Sequence, residues 1–83
     1  MGYKVLVVDG NKDNRELVKK ILVSSDENYK ILTAANGKEG YEAAVKNLPD
    51  IILLDSGTPQ NEGLKTLDMI HSETSTKDIP VIL

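Results

Sequence analysis

Residues 51–64 read IILLDSGTPQNEGL. Four large aliphatic residues in succession, Ile51 to Leu54, describe a strand buried on both faces, as in a parallel sheet covered by helices. The run ends on a carboxylate, Asp55, which would be costly to desolvate fully. The two facts are reconciled if Asp55 stands where the strand leaves the sheet, at the C-terminal edge. Open α/β sheets carry their ligand crevices at that edge. Beyond it, Gly57 and Gly63 let the main chain turn tightly or come close to a ligand, and Pro59 stiffens the turn.

The same pattern occurs once before. Val5-Leu6-Val7-Val8 is a short β-branched run that ends on Asp9. From Arg15 onward, Leu17, Val18, Ile21 and Leu22 form one apolar stripe at helical spacing, with Asp13 or Asn11 as its N-cap. Ser24 to Asn28 is a polar connection. Tyr29–Ala34 predicts a second strand, closed by Asn36-Gly37, a pair suited to a tight turn. Lys38–Asn47 predicts a helix through Tyr41, Ala44 and Val45, and Pro49 bars its continuation. A third helix is expected from about Gly63 to Ser72, burying Leu64, Leu67 and Ile70. Ser72–Asp78 is polar and loop-like, and a fourth strand starts in Ile79-Pro80-Val81-Ile82-Leu83. This β-α-β-α-β-α-β order implies parallel strands, right-handed crossovers and helices on both faces.

The bulk composition narrows the function. An 83-residue chain makes one small domain, which buries only roughly 60–65% of its unfolded surface. With no Trp and no Phe, the core must be aliphatic. A net charge of −3 argues against a nucleic-acid backbone binder, which needs a basic face. The absence of cysteine removes disulfides, thiolate metal sites and thiol nucleophiles. His71, the single histidine, reads as a solvent-facing helix residue, and Arg15, Glu16, Lys19 and Lys20 as the wet face of the first helix. No apolar run reaches membrane-spanning length and the chain opens directly on a strand, so the cytoplasm is the expected location.

The two aspartates carry the chemistry. An aspartate at a strand end is commonly a turn residue or a helix cap, so one alone says little. If the first and third strands are neighbours, Asp9 and Asp55 share the C-terminal edge. There they repel each other unless a proton or a cation intervenes. Oxygen ligands of this kind suit Mg²⁺. A carboxylate beside such a cation can act as a nucleophile toward phosphorus.

Taken together, these segments resemble the receiver domain of two-component response regulators along the whole chain. "KVLVVDGNKDNREL" is similar to the family's opening strand and turn, and "TAANGKEGYEAA" to its second strand-to-helix passage. "PDIILLDSGTPQNEGL" resembles its phosphorylation segment, with Pro four residues and Gly eight residues after the acceptor Asp, and "IPVIL" its fourth strand. The resemblance implies a flavodoxin-like doubly wound α/β sheet of order 2-1-3-4, lacking the last strand and last helices. It implies a single receiver-like domain over residues 1–83, C-terminally incomplete. It implies that Asp55 is the phosphoacceptor and that Asp9, Asp55 and the Gly57 carbonyl hold Mg²⁺. Phosphate would come from a sensor histidine kinase or a phosphotransfer protein, and the domain itself is no enzyme.

Two departures from that pattern shape the expectations. Gly10 stands where the family usually places a second acid, which implies weak Mg²⁺ binding. The Ser or Thr after the fourth strand and the Lys of the fifth have no counterpart here. The fourth strand would then be an exposed edge, which invites self-association, and the sheet beside the first helix would be partly uncovered. The alternative reading is a receiver-like interaction module that is not phosphorylated. A nucleotide-binding α/β enzyme is disfavoured because Gly10 stands alone where a Gly-rich phosphate loop would be.

Overall fold

In the computed structural model, which describes residues 2–25, 28–55 and 62–83, the two aliphatic runs lie side by side inside a four-stranded parallel sheet. The elements are β1 (Tyr3–Val8), α1 (Lys12–Ser25), β2 (Tyr29–Ala34), α2 (Gly37–Asn47), β3 (Ile51–Leu54), α3 (Glu62–Ser72) and β4 (Val81–Ile82). Strand order is β2-β1-β3-β4 and every pairing is parallel. This is the expected flavodoxin-like sheet, without, among the described residues, the fifth strand and last helix of that fold. Register is fixed at the C-terminal edge by Val8 opposite Ala34 and by Val8 opposite Leu54.

Alternation along the strands sorts the core onto two faces. Leu6, Val8, Ala34, Ile52 and Leu54 pack with Ala44 of α2 and Ile70 of α3 into one buried cluster. Leu6, Ile52 and Ile70 are fully enclosed, each contributing about 1.5–3 kcal/mol of burial. Helix α2 sits so close to β1 that a methyl group added at Gly40 would stand 2.8 Å from a Val8 side-chain carbon. Val5 and Val7 point to the other face, on the side where α1 packs.

That second face is only partly covered. No residue of α1 is fully buried, and Leu17 and Ile21 are 56% and 55% exposed. Beside α1, a groove runs over Val7, Val18, Leu53, Ile82 and Leu83. The expected apolar stripe on α1 therefore exists, but Val18 and Leu22 alone of its four residues are half-buried.

Local chemistry sets the element ends, in places differently from the sequence reading. Helix α1 begins at Lys12, and of the two expected caps it is Asn11 that serves, accepting from the Asn14 N–H at 3.1 Å. Asn36-Gly37 does not close a hairpin-like turn. Asn36 is the N-cap of α2, accepting from the Glu39 N–H, while the Glu39 carboxylate accepts at 3.0 Å from the N–H of Ala35, the residue before the cap. Helix α2 stops at Leu48, which adopts the left-handed conformation at φ 48° before Pro49. Asp50 then accepts from the Lys4 N–H at 2.7 Å and donates its own N–H to the Lys4 carbonyl, fixing the entry to β3.

Helix α3 buries Gly63, Thr66 and Ile70 and half-buries Leu67, whereas Leu64 is 50% exposed. The expectation that Leu64 is buried is corrected: the inward side runs one position earlier, so Leu64 is turned toward solvent. The polar stretch after α3 is also more than a loop. Thr76 is wholly enclosed, and its hydroxyl donates at 2.6 Å to the Ile70 carbonyl, satisfying the end of α3. Tyr41 reaches from α2 to donate to the Glu73 carboxylate at 3.2 Å. Its burial, and then that neighbouring carboxylate, push the phenol above its ordinary pKa. The fourth strand is shorter than the sequence suggests, two residues, with Pro80 immediately before it.

Candidate functional site

Asp9 and Asp55 each follow the last paired residue of an interior strand, since Val8 is opposite Leu54. The main chain carries the pairing one step further. The Asp55 N–H donates to the Val8 carbonyl at 2.9 Å, and the Asp9 N–H donates to the Ala34 carbonyl at 3.1 Å. The two residues therefore stand about one strand spacing apart, roughly 4.8 Å, on the same rim. Both are half-buried, exposed enough to meet solvent ions and enclosed enough to be held. They line one small crevice with Gly10, Asn36, Gly63 and Thr66.

The walls of this crevice are helix starts. Asn36 and Gly37 open α2, and Gly63 lies in the first turn of α3. The positive ends of the helix dipoles thus face the rim, an environment that favours negative charge. The β1–α1 turn is tightly tied. The Asp9 carboxylate accepts from the Asn11 N–H at 2.9 Å, and the Arg15 guanidinium donates to the Asp9 carbonyl at 2.7 Å.

The sequence-predicted pair is thus brought together. Gly57, expected to offer a carbonyl to the metal, lies outside the described residues. At Gly10, an added side chain would meet only the Ala35 carbonyl, at 3.7 Å, so the position has room for a larger residue. Among the described residues no group of three His, Cys, Asp or Glu side chains converges. The donor set visible here is two carboxylates, a fit for one hard, largely hydrated cation rather than for a zinc or a fully caged ion.

Three neighbours escaped the sequence reading. Asn36 was legible, because the N-x-x-E spacing of Asn36 and Glu39 is a capping signature. Thr66 gave no signal, since a threonine within a helix pattern looks like a surface residue. Arg15 read as part of the wet face, because a chain pattern does not show an arginine folding back six residues.

A family model for the response regulator receiver domain matches residues 5–83. Over 84 residues the chain is 43% identical to a protein-glutamate methylesterase/protein-glutamine glutaminase of Methanosarcina barkeri, covering 100% of this chain and 22% of that protein. Among solved structures, the N-terminal domain of a response regulator receiver protein from Methanoculleus marisnigri superposes with a TM-score of 0.87 at 34% identity, over 95% of this chain and 63% of that one. The chemotaxis protein CheY4 of Vibrio cholerae also gives 0.87, at 28% identity, over 98% of this chain and 66% of that one. The chain spans about a fifth of the length of the curated relatives it matches. Among the described residues, no helix is long and apolar enough to cross a membrane.

Proposed function

We propose, from the premise that this chain belongs to the response regulator receiver family, that it accepts a phosphoryl group on Asp55 from a sensor histidine kinase or phosphotransfer protein. The observation that carries this reading is the adjacency of Asp9 and Asp55 in one crevice at the C-terminal rim. Asp55 rather than Asp9 is the acceptor because the segment that follows it, with Pro59 four and Gly63 eight residues on, is the one that matches the family's phosphorylation segment. In the transfer, a carboxylate oxygen of Asp55 attacks phosphorus and the donor's N–P bond breaks. The imidazole leaves with its electron pair and takes up a proton, and the product is an acyl phosphate. The helix starts around the crevice turn the positive ends of their dipoles toward the incoming phosphoryl oxygens.

Asp9 and Asp55, with the Gly57 carbonyl, would hold Mg²⁺, which when bound supplies positive charge opposite the phosphoryl oxygens. Gly10 contributes no side-chain oxygen, so the affinity is weak. The domain acts as an acceptor rather than a turnover catalyst, in the cytoplasm, and its charge of −3 gives it no nucleic-acid face. Self-association has a physical basis in the edge at β4 and in Ile82 and Leu83, which are 53% and 55% exposed.

The second reading, an interaction module that is not phosphorylated, draws on the two-carboxylate donor set and the glycine at position 10. Incubation with a small-molecule phosphodonor in excess Mg²⁺, followed by intact-mass measurement, separates the two. One phosphoryl adduct, abolished by Asp55→Asn, is the expected result. No adduct in saturating metal establishes the interaction module instead.

A further inference from the structure

We infer that Arg15 is a positioning residue for Asp9: its guanidinium clamps the peptide that leads into Gly10 and so fixes the direction of the Asp9 carboxylate. This inference rests on the reading of Asp9 as a metal-facing acid. Three separate elements hold Asp9. Its N–H is bound to the Ala34 carbonyl of β2, its side chain accepts from the Asn11 N–H of the turn, and its carbonyl accepts from Arg15 of α1 at 2.7 Å.

The first two restraints act on the strand side and on the carboxylate. The third acts on the following peptide, the one that leads into a glycine. Gly10 has no side chain and is exposed, so its backbone is sterically the least restricted in the turn. A change in chain direction at the 9–10 peptide would displace the adjoining 10–11 peptide, whose Asn11 N–H holds the carboxylate, and release it. Arg15 is half-buried and charge-assisted in this contact, which makes it a strong anchor for a neutral carbonyl. Arg15 also adds a positive charge near a cation site, an effect of opposite sign on metal affinity. Positioning outweighs it here, because the guanidinium is spent on a backbone oxygen and faces solvent screening on its outer side.

The test uses the full chain, with Mg²⁺ alone as the probe. Partners of a metal ligand typically contribute about 10–100-fold to affinity, so Arg15→Gln should weaken Mg²⁺ binding about tenfold. Arg15→Lys, which keeps a donor on a long stem, should fall between. In metal-free protein, Arg15→Gln should speed amide exchange at Gly10 and Asn11 while leaving Leu6 and Ile52 unchanged. Should Arg15→Gln prove too unstable, the Arg15→Lys exchange pattern decides the same point. Asp9→Asn is the control for the underlying reading. If Asp9→Asn weakens Mg²⁺ but Arg15→Gln leaves it unchanged or tightens it, the positioning role is overturned and the site stands. If Asp9→Asn has no effect on Mg²⁺, the site reading fails, and the metal-free exchange at Gly10 alone judges the clamp.

Discussion

Replacing Gly10 with aspartate asks whether the rim between β1 and α1 faces a cation. The position accepts the change sterically. A Cβ there would meet only the Ala35 carbonyl at 3.7 Å, and the backbone φ is not positive, so no strain accompanies the new side chain. Beside Asp9 in the chain, the added carboxylate would stand on the order of 5 Å from a cation held by Asp9 and Asp55. At the dielectric of water its attraction for a divalent ion is about 1.7 kcal/mol, roughly a fifteenfold gain in affinity. Because Gly10 is exposed, this solvent-screened value is the appropriate one. Without metal the sign reverses: repulsion of about 0.8 kcal/mol from each neighbouring carboxylate should lower stability by somewhat more than 1 kcal/mol. Calorimetric titration with Mg²⁺ measures the first effect, and thermal melts with and without Mg²⁺ measure the second. Gly10→Asp should melt below the parent in chelator and regain the loss in Mg²⁺. Equal affinities for the two proteins would show that position 10 does not look toward a cation, and the proposed corner would have to be abandoned.

Three further outcomes test the supporting structure. Thr76→Val keeps the shape but leaves the Ile70 carbonyl without its donor, and should lower stability by about 1–3 kcal/mol in urea denaturation, with Thr76→Ser near the parent. Gly40→Ala should destabilise by about 1–3 kcal/mol despite alanine's better helix propensity, since the new methyl stands 2.8 Å and 3.0 Å from the two methyls of Val8; a rise in melting temperature would mean α2 can lift off β1 freely. Asn36→Ala should cost about 1 kcal/mol through loss of the α2 cap, and Asn36→Asp should not, as read by the same denaturation curves.

The order of elements was readable because buried parallel strands leave continuous aliphatic runs, and Val5–Val8 and Ile51–Leu54 are such runs. The pairing of Asp9 with Asp55 was readable for the same reason: each closes its run, so strand adjacency alone brings them together. What the sequence did not reveal depends on rotation and on return contacts. Whether Leu64 or Thr66 of α3 turns inward is a matter of 100° steps around an axis, and a leucine was the natural but mistaken choice. Thr76 looked like loop because enclosure of a hydroxyl is decided by what lies above it, here the end of α3. Arg15 acts through a hydrogen bond to backbone, which leaves no hydrophobic period to detect, whereas the cap at Asn36 is marked by its spacing from Glu39.

The sheet order also distributes resistance to opening unequally. Both aspartates ride on β1 and β3, strands with partners on either side, while β2 and β4 form the outer margins. Amides in such interior strands exchange only when the whole molecule opens, whereas peripheral ones loosen first. The rim that carries the carboxylates should therefore keep its shape through fluctuations that unravel the margin around Val81 and Ile82. A docking partner could reshape that periphery without disturbing the corner where the aspartates meet.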